Sequence, residues 1–275
     1  MRFALDGVGP ASLRVTSSFL GALVLIVFAA IQRHSVKLPF GRAWLHVAIA
    51  STFNISGFGL LVAFAQLSAA TSRVAILVYT MPIWAALLAR PVLGERLNLL
   101  RSLSLVLCVV GIGILVYPLA QHGIPNGVMF ALLSGMSWAA GTVYLKWARI
   151  PADALTIAIW QFVVAFVAVL ALAPLIEGGL HLWPATWLSQ FGVLFTGIIG
   201  SGLSYYLWFK VMGRLSATAA SLGILSVPPI GVASSALLLG EIPTVTDWIG
   251  FLLIFGAAAC VLLQPHQAPV DAAKA

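Results

Sequence analysis

Long apolar stretches divide the chain into segments of membrane length, separated by short runs that hold Pro, Gly or charged residues. Each stretch has about 17–25 mostly apolar residues, which is the length that an α-helix needs to cross a bilayer. The pattern predicts nine transmembrane helices, at residues 13–32, 45–66, 71–89, 99–118, 126–146, 154–176, 188–209, 215–239 and 246–264. The tail 265–275 is rich in Pro, Ala and Gln, and we predict that it is disordered.

Composition supports an all-α integral membrane protein. Of the 275 residues, 61% are hydrophobic and 8% are charged, whereas a soluble domain carries about 25% charged residues. The predicted helices leave only short connections, so no soluble catalytic domain fits. The spans also hold no nucleophile with a nearby base, no metal cluster and no paired carboxylates. We therefore predict that the protein is not an enzyme and that it needs no cofactor and no metal.

Positive charge predicts the orientation of the spans. Eleven of the 14 Lys and Arg residues fall on one side of the nine-span plan: Arg33, Lys37, Arg42, Arg90, Arg96, Arg101, Lys146, Arg149, Lys210, Arg214 and Lys274. By the positive-inside rule this side is cytoplasmic. We expect a multi-pass protein of the cell (inner) membrane with a cytoplasmic C-terminal tail. Because the cations stand singly at the edges of apolar runs, we do not expect nucleic acid as a partner.

An internal repeat organises the predicted spans. The segment QLSA at 66–69 recurs as RLSA at 214–217, and a Pro followed by Leu-Gly-Glu occurs at 82–95 and again at 228–241. We interpret Leu-Gly-Glu as a helix stop and loop anchor. Self-similarity of this kind indicates two copies of one structural unit.

The repeat divides the chain into residues 1–118, with four predicted spans, and residues 126–264, with five. Because five is an odd number, the second copy crosses the membrane with inverted topology, as in many secondary transporters. We expect a five-plus-five helical bundle. In this interpretation nine of ten spans are visible, and the first span is missing from the given sequence.

The repeated Pro and Leu-Gly-Glu motifs, Ser137-Trp138-Ala139 and the five-plus-five plan resemble the EamA branch of the drug/metabolite transporter superfamily. The resemblance covers nearly the whole chain, and it is greatest to the YddG-type amino-acid exporters. It implies a ten-helix basket whose central cavity opens alternately to each side. It also implies export of aromatic and other neutral amino acids.

Charged residues all fall in predicted loops or within a turn or two of a predicted helix end. An interior without charge disfavours ionic substrates and a proton carrier, and it favours facilitated passage of a neutral or zwitterionic solute.

Proline at Pro82, Pro228 and Pro229 predicts helix breaks that expose carbonyl groups. The candidate substrate-binding residues are uncharged polar or aromatic: Asn54, Ser56, Tyr79, Thr80, Trp138, Thr142, Trp160, Gln161, Tyr205, Tyr206 and Ser226. For each polar residue among these candidates, the alternative role is a hydrogen bond that packs one helix against another.

Three functions remain open at this level. The first is a facilitative exporter of neutral and aromatic amino acids, with amino acids and the lipid bilayer as its partners. The second is a proton-coupled multidrug or metabolite exporter, and the third is a membrane scaffold that transports nothing. The substrate range, the coupling ion, the conformation and the oligomeric state, a monomer included, are left open by the sequence.

Overall fold

The computed structural model describes residues 1–94, 99–120, 125–184, 186–207 and 227–262. Within these ranges the chain forms helices and short connections, without a β-strand. The α-helices are α1 (Arg2–Leu5), α2 (Pro10–Ile31), α3 (Arg42–Ser51), α4 (Phe58–Ser68), α5 (Thr71–Val78), α6 (Met81–Leu93), α7 (Leu99–Ala120), α8 (Asn126–Ala148), α9 (Ala154–Glu177), α10 (Trp187–Leu194), α11 (Val227–Leu239) and α12 (Val245–Leu262). A first π segment (Thr52–Gly57) joins α3 to α4, and a second π segment (Phe195–Leu203) follows α10.

Five helical stretches of the described chain are long and apolar enough to cross a membrane. They are Pro10–Ile31, Arg42–Ser68, Thr71–Leu93, Asn126–Ala148 and Ala154–Glu177. Shorter apolar helices cover Ser102–Tyr117, Ile230–Leu239 and Val245–Cys260. The predicted all-α membrane fold is confirmed. The count of nine spans and the two-copy division stay predictions, because residues 208–226 and the tail 265–275 lie outside the described ranges.

Local sequence signals set the limits of α9. Asp153 precedes the helix, and its carboxylate accepts a hydrogen bond of 3.0 Å from the backbone N–H of Thr156. Such a cap satisfies one of the N–H groups that have no partner within a helix. At the other end Gly178 adopts a left-handed conformation with φ +68°, which only glycine adopts at no steric cost.

Small residues allow α2 to pack closely on α9 and on the second π segment. A Cβ atom on Gly21 of α2 would lie 3.0 Å from the ring of Phe162 and 3.0 Å from the Cβ of Ser201. A Cβ atom on Gly202 would lie 2.5 Å from Val24. Close approach of backbones through small residues is the usual way that helices associate in membranes.

Helix α8 is the common packing partner of α3, α4, α5, α6 and the first π segment. Its glycines face these neighbours. A Cβ on Gly135 would lie 3.1 Å from the carbonyl oxygen of Val78, and a Cβ on Gly141 would collide with the side-chain amide of Asn54. The face of α8 that carries these glycines therefore packs against both the end of α5 and the first π segment.

The chain between α5 and α6 breaks at Tyr79 and Thr80, directly before Pro82. Pro82 is in the first turn of α6, where the missing N–H leaves no helical hydrogen bond unmade. The Thr80 backbone N–H and hydroxyl both donate to the carbonyl oxygen of Leu77, at 3.1 Å and 2.8 Å. The Leu77 carbonyl is thus bound locally, whereas the Val78 carbonyl, four residues before Pro82, loses its helical donor. Pro228 and Pro229 occupy the first turn of α11, and the residues before them lie outside the described ranges.

Candidate functional site

The first π segment places two candidate residues, Asn54 and Ser56, inside the bundle. Both are buried. A π-helical turn contains one more residue than an α-helical turn and is frequent at functional sites. The hydroxyl of Ser137 on α8 donates to the carbonyl oxygen of Phe53 at 2.8 Å, which anchors the irregular turn to the central helix. The π segment is therefore held by α8 rather than by its own hydrogen bonds alone.

Asn54 and Gln161 meet although they are 107 residues apart in the chain. The Asn54 side-chain amide donates to Gln161 Oε1 at 3.4 Å, and the hydroxyl of Ser51 donates to the backbone oxygen of Gln161 at 2.6 Å. The remaining amide oxygen of Asn54 is buried without a hydrogen-bond partner in the described part of the protein, and so is the hydroxyl of Ser56. The described protein thus leaves the hydrogen-bonding capacity of these two atoms unused.

Two of the aromatic candidates, Trp138 and Tyr205, come together. The indole N–H of Trp138, which can only donate, lies close enough to the hydroxyl of Tyr205 to interact with it. The Tyr205 ring packs edge-on against Phe162, with ring centres 5.0 Å apart and an angle of 84°. The pair offers aromatic surface together with a hydroxyl group, a combination that suits an amphipathic solute.

Arg14 lies beside this pair and is the residue that the sequence pattern missed. Its side chain is only 8% exposed, although it stands in the second turn of α2, and it interacts electrostatically with Tyr205. Within the described ranges its Nε has no hydrogen-bond partner. This position corrects the expectation of an interior without charge. Nearness to a helix end in the sequence did not mean contact with water, because other helices cover this end of α2.

The signal that marks Arg14 is a polar run at the beginning of an otherwise apolar helix. Ser12, Arg14, Ser17 and Ser18 are all buried. Ser18 follows Arg14 by one helical turn, so both lie on one face of α2. The hydroxyl of Ser18 is likewise buried without a partner among the described residues. Buried polar groups that the protein leaves unpaired are costly, and a ligand that binds them removes the cost.

The other candidates have polar groups that the protein already binds. The indole of Trp160 donates to the carbonyl oxygen of Val36 at 2.8 Å, and its ring packs against Trp44. The hydroxyl of Tyr206 accepts from Gln32 at 3.1 Å, and its ring stacks on Phe28 with ring centres 4.0 Å apart.

Three of the remaining four candidates lie within the described ranges. The hydroxyl of Thr142 donates to the backbone oxygen of Trp138 at 2.9 Å. Thr80 is buried, and its hydroxyl also accepts from Trp84 at 3.0 Å, while Tyr79 is half-buried at the break. Ser226 lies outside the described residues. A role in substrate binding stays a prediction for every candidate.

Two glutamates, Glu241 and Glu177, cap the N-termini of α5 and α2. Glu241 accepts hydrogen bonds from the backbone N–H groups of Thr71 and Ser72, at 2.7 Å and 2.8 Å. Burial opposes its ionisation, yet these hydrogen bonds outweigh it and hold the pKa of Glu241 below the ordinary 4.5. Gly240 before it has φ +66°. The second Leu-Gly-Glu segment is therefore a helix stop and loop anchor, while Glu95 lies outside the described ranges.

Glu177 has the same role at α2. Its carboxylate accepts from the backbone N–H groups of Ala11 and Ser12, and from the Ser12 hydroxyl at 2.7 Å. The carboxylate therefore has several donors that do not include Arg14. An ion pair of 2.7 Å between Arg73 and Asp247 adds a further link between α5 and α12.

Comparison with known proteins agrees with this architecture. The model of the EamA-like transporter family matches residues 1–117 and 125–263. The uncharacterized transporter YoaV of Bacillus subtilis is 23% identical over 260 residues, which cover 92% of this chain and 87% of that protein. The probable amino-acid metabolite efflux pump of Salmonella typhimurium is 27% identical over 172 residues, which cover 59% of this chain and 58% of the pump. A crystal structure with 22% identity has the same fold, with a TM-score of 0.64 over 94% of this chain and 91% of that one.

Proposed function

The chain belongs to the EamA-like transporter family, and from this premise we propose that it exports neutral and aromatic amino acids across the cell (inner) membrane. Transport is facilitated diffusion, in which a central aromatic and polar cavity opens alternately to the two sides. The C-terminal tail lies in the cytoplasm. The similarity to a probable amino-acid metabolite efflux pump supports the substrate class.

The observation that carries the proposal is the neighbourhood of Trp138 and Tyr205. Two interacting aromatic residues are combined with buried polar groups that have no partner in the described part of the protein, on α2 and on the first π segment. Aromatic surface suits the side chain of Phe, Tyr or Trp. The unpaired polar groups suit the charged end of the same molecule, because a zwitterion must exchange its water for hydrogen bonds on entering the protein.

Alternating access needs places where the helices can change shape. Three irregular points supply them: the two π segments and the break at Tyr79 and Thr80. All three contain backbone that departs from regular α-helical hydrogen bonding. Hinge motions concentrate at a few residues of this kind, while the regular helices move as rigid units.

Reconstituted protein tests the proposal. The full chain is placed in liposomes, and the movement of labelled phenylalanine, threonine and methionine is followed down a concentration gradient, with empty liposomes as the control. We expect saturable transport that competes with unlabelled aromatic amino acids and that continues after the proton gradient is collapsed. Absence of transport for all three would overturn the proposal.

A proton-coupled multidrug or metabolite exporter is the alternative. Its substrates would compete with phenylalanine in the same assay, and transport would stop when an ionophore collapses the proton gradient. Two charged side chains are buried in the described ranges, Arg14 and Asp247, and Asp247 is already bound to Arg73. Asp247 stands in the first turn of α12, at the end of its helix, and also accepts two hydrogen bonds from Thr244. The ion pair of Asp247 thus favours facilitation.

A further inference from the structure

We infer that Arg14 is a carboxylate-binding residue, which binds the carboxylate of the transported solute between α2 and α4 beside Tyr205. The inference deepens the proposed function and rests on it for the identity of the solute as an amino acid. The inference makes a more specific requirement of the solute than that it be a zwitterion. The solute must carry a carboxylate, and a solute that has only an ammonium or a hydroxyl group at this end binds more weakly.

Arg14 is energetically costly in its present position. A guanidinium group stays charged in proteins and carries five N–H donors in a planar fork. The side chain of Arg14 is only 8% exposed to solvent, and its Nε has no hydrogen-bond partner in the described ranges. A charge buried in this way is unfavourable unless an anion or several carbonyl groups compensate it. The observed hydrogen bonds and ion pairs of the described residues supply neither.

The carboxylate at the beginning of α2 does not compensate Arg14. Glu177 lies close to the beginning of the helix, but its carboxylate is bound by the backbone of Ala11 and Ser12 and by the hydroxyl of Ser12. The ion pairs of the described residues are His34 with Asp153 and Arg73 with Asp247. Arg14 therefore has no carboxylate of the described protein within ion-pair distance. The position therefore suits an anion that binds reversibly.

The guanidinium of Arg14 packs directly against Gly59 of α4. A Cβ atom on Gly59 would collide with Nε, Cζ and one terminal nitrogen of Arg14. Glycine at this position therefore leaves room for the guanidinium beside the backbone of α4. The hydroxyl of Ser18, one turn further along α2, is also unpaired among the described residues. Arg14 and Ser18 together offer a fork and a single donor, which is the pattern that a carboxylate accepts.

The aromatic pair Trp138 and Tyr205 lies next to Arg14. Tyr205 interacts with both Arg14 and Trp138. A solute whose carboxylate reaches Arg14 thus lies next to aromatic surface. Phenylalanine has this arrangement of groups, with the carboxylate and the ring separated by two carbon atoms. The cation therefore fixes one end of the solute, and the aromatic pair contacts the other.

The test measures equilibrium binding to the purified full chain in nanodiscs with two matched pairs of solutes. Phenylalanine and phenylalaninol differ in the carboxylate, and so do phenylacetate and 2-phenylethanol. We expect the protein to bind the carboxylate member of each pair roughly tenfold or more tightly, because hydrogen bonds to a charged group are the strong ones. In Arg14→Gln this preference falls to within about twofold of equality, and Arg14→Lys retains part of it. The control Arg42→Gln removes an exposed cation and keeps the full preference.

The outcomes separate the two proposals. Loss of the preference in Arg14→Gln, with an unchanged unfolding temperature, supports the carboxylate site. Binding of phenylacetate that depends on Arg14, without binding of phenylalanine, supports the site and overturns the amino-acid substrate. A preference that survives in Arg14→Gln, or the absence of any preference in the unmodified protein, overturns the site. Because the last comparison uses only the unmodified protein, it holds even where Arg14→Gln fails to fold.

Discussion

Glu241 and Thr71 are 170 residues apart in the chain, yet a carboxylate oxygen of Glu241 accepts a hydrogen bond of 2.7 Å from the backbone N–H of Thr71. The second carboxylate oxygen accepts from Ser72 at 2.8 Å. Both N–H groups belong to the first turn of α5, where they have no partner within the helix. The negative charge also compensates the positive end of the helix dipole. One side chain after α11 thus caps a helix of the other half of the chain.

Replacing this cap destabilises the protein. We expect Glu241→Ala to lower the free energy of unfolding by about 0.5–2 kcal/mol, the usual cost of losing an N-terminal cap. Glu241→Gln keeps one acceptor oxygen and loses the charge, so its loss is smaller. The unfolding temperature in detergent measures the effect. The prediction is wrong if the Ala variant is as stable as the original chain, or if the Gln variant is less stable than the Ala variant.

The same cap makes stability depend on pH. Hydrogen bonds from α5 outweigh the effect of burial and hold the pKa of Glu241 below 4.5. A carboxyl group whose pKa is lowered by folding stabilises the protein above its pKa in the unfolded chain, and this contribution is lost as the pH falls toward the pKa in the folded protein. We expect the stability difference between the original chain and Glu241→Gln to be constant near neutral pH and to shrink below about pH 4.5. A difference that grows with acidity would contradict this.

Helix limits could be predicted well from the sequence. Spans expected at 126–146 and 154–176 are α8 (Asn126–Ala148) and α9 (Ala154–Glu177). Apolar runs bounded by Pro, Gly or a capping Asp define such helices locally, so no tertiary information is needed. The family resemblance drawn from the repeated Pro and Leu-Gly-Glu motifs is confirmed.

The interior of the bundle was less predictable, and the reason is physical. A π segment forms where tertiary contacts hold an extra residue in the helix, as α8 does through Ser137 and Phe53. The burial of Arg14 likewise depends on Gly59 and Tyr205, which are far away in the chain. Periodicity within one helix contains no information about these neighbours. It predicts which residues a helix contains but not which helix covers them.

Gly59 is expected to control the position of Arg14. In Gly59→Ala the new methyl group collides with the guanidinium, so the Arg14 side chain must move. We expect a roughly tenfold loss of phenylalanine affinity, similar to the loss in Arg14→Gln, because a displaced donor no longer reaches the carboxylate. Binding of phenylalaninol changes little.

Gly113→Ala is the matched control for this substitution. A Cβ at Gly113 meets no atom within 4 Å, and the residue lies inside α7. Alanine is favoured over glycine within a helix by about 1 kcal/mol, so this variant is expected to be as stable as the original chain or more stable. Its phenylalanine affinity stays the same. Equal affinity losses in the two variants would show that any added methyl group disturbs binding, and the specific role of Gly59 would be excluded.

Substitutions at Trp138 and Tyr205 separate the contribution of aromatic surface to selectivity from that of their polar contact. Trp138→Ala removes a ring that buries about 150–250 Å², so transport of phenylalanine should fall more than transport of threonine. Trp138→Phe keeps most of the aromatic surface but removes the donor, so both substrates should be affected alike and less. Because Tyr205→Phe removes the other polar group of this contact, adding it to Trp138→Phe should cost less than the sum of the two single effects.

Trp147→Ala, at a residue that is 53% exposed, is the control and should leave the ratio of the two transport rates unchanged. If Trp138→Ala slows threonine and phenylalanine equally, the indole supports the fold of α8 rather than contacting the solute. In that case the aromatic selectivity has to come from other residues.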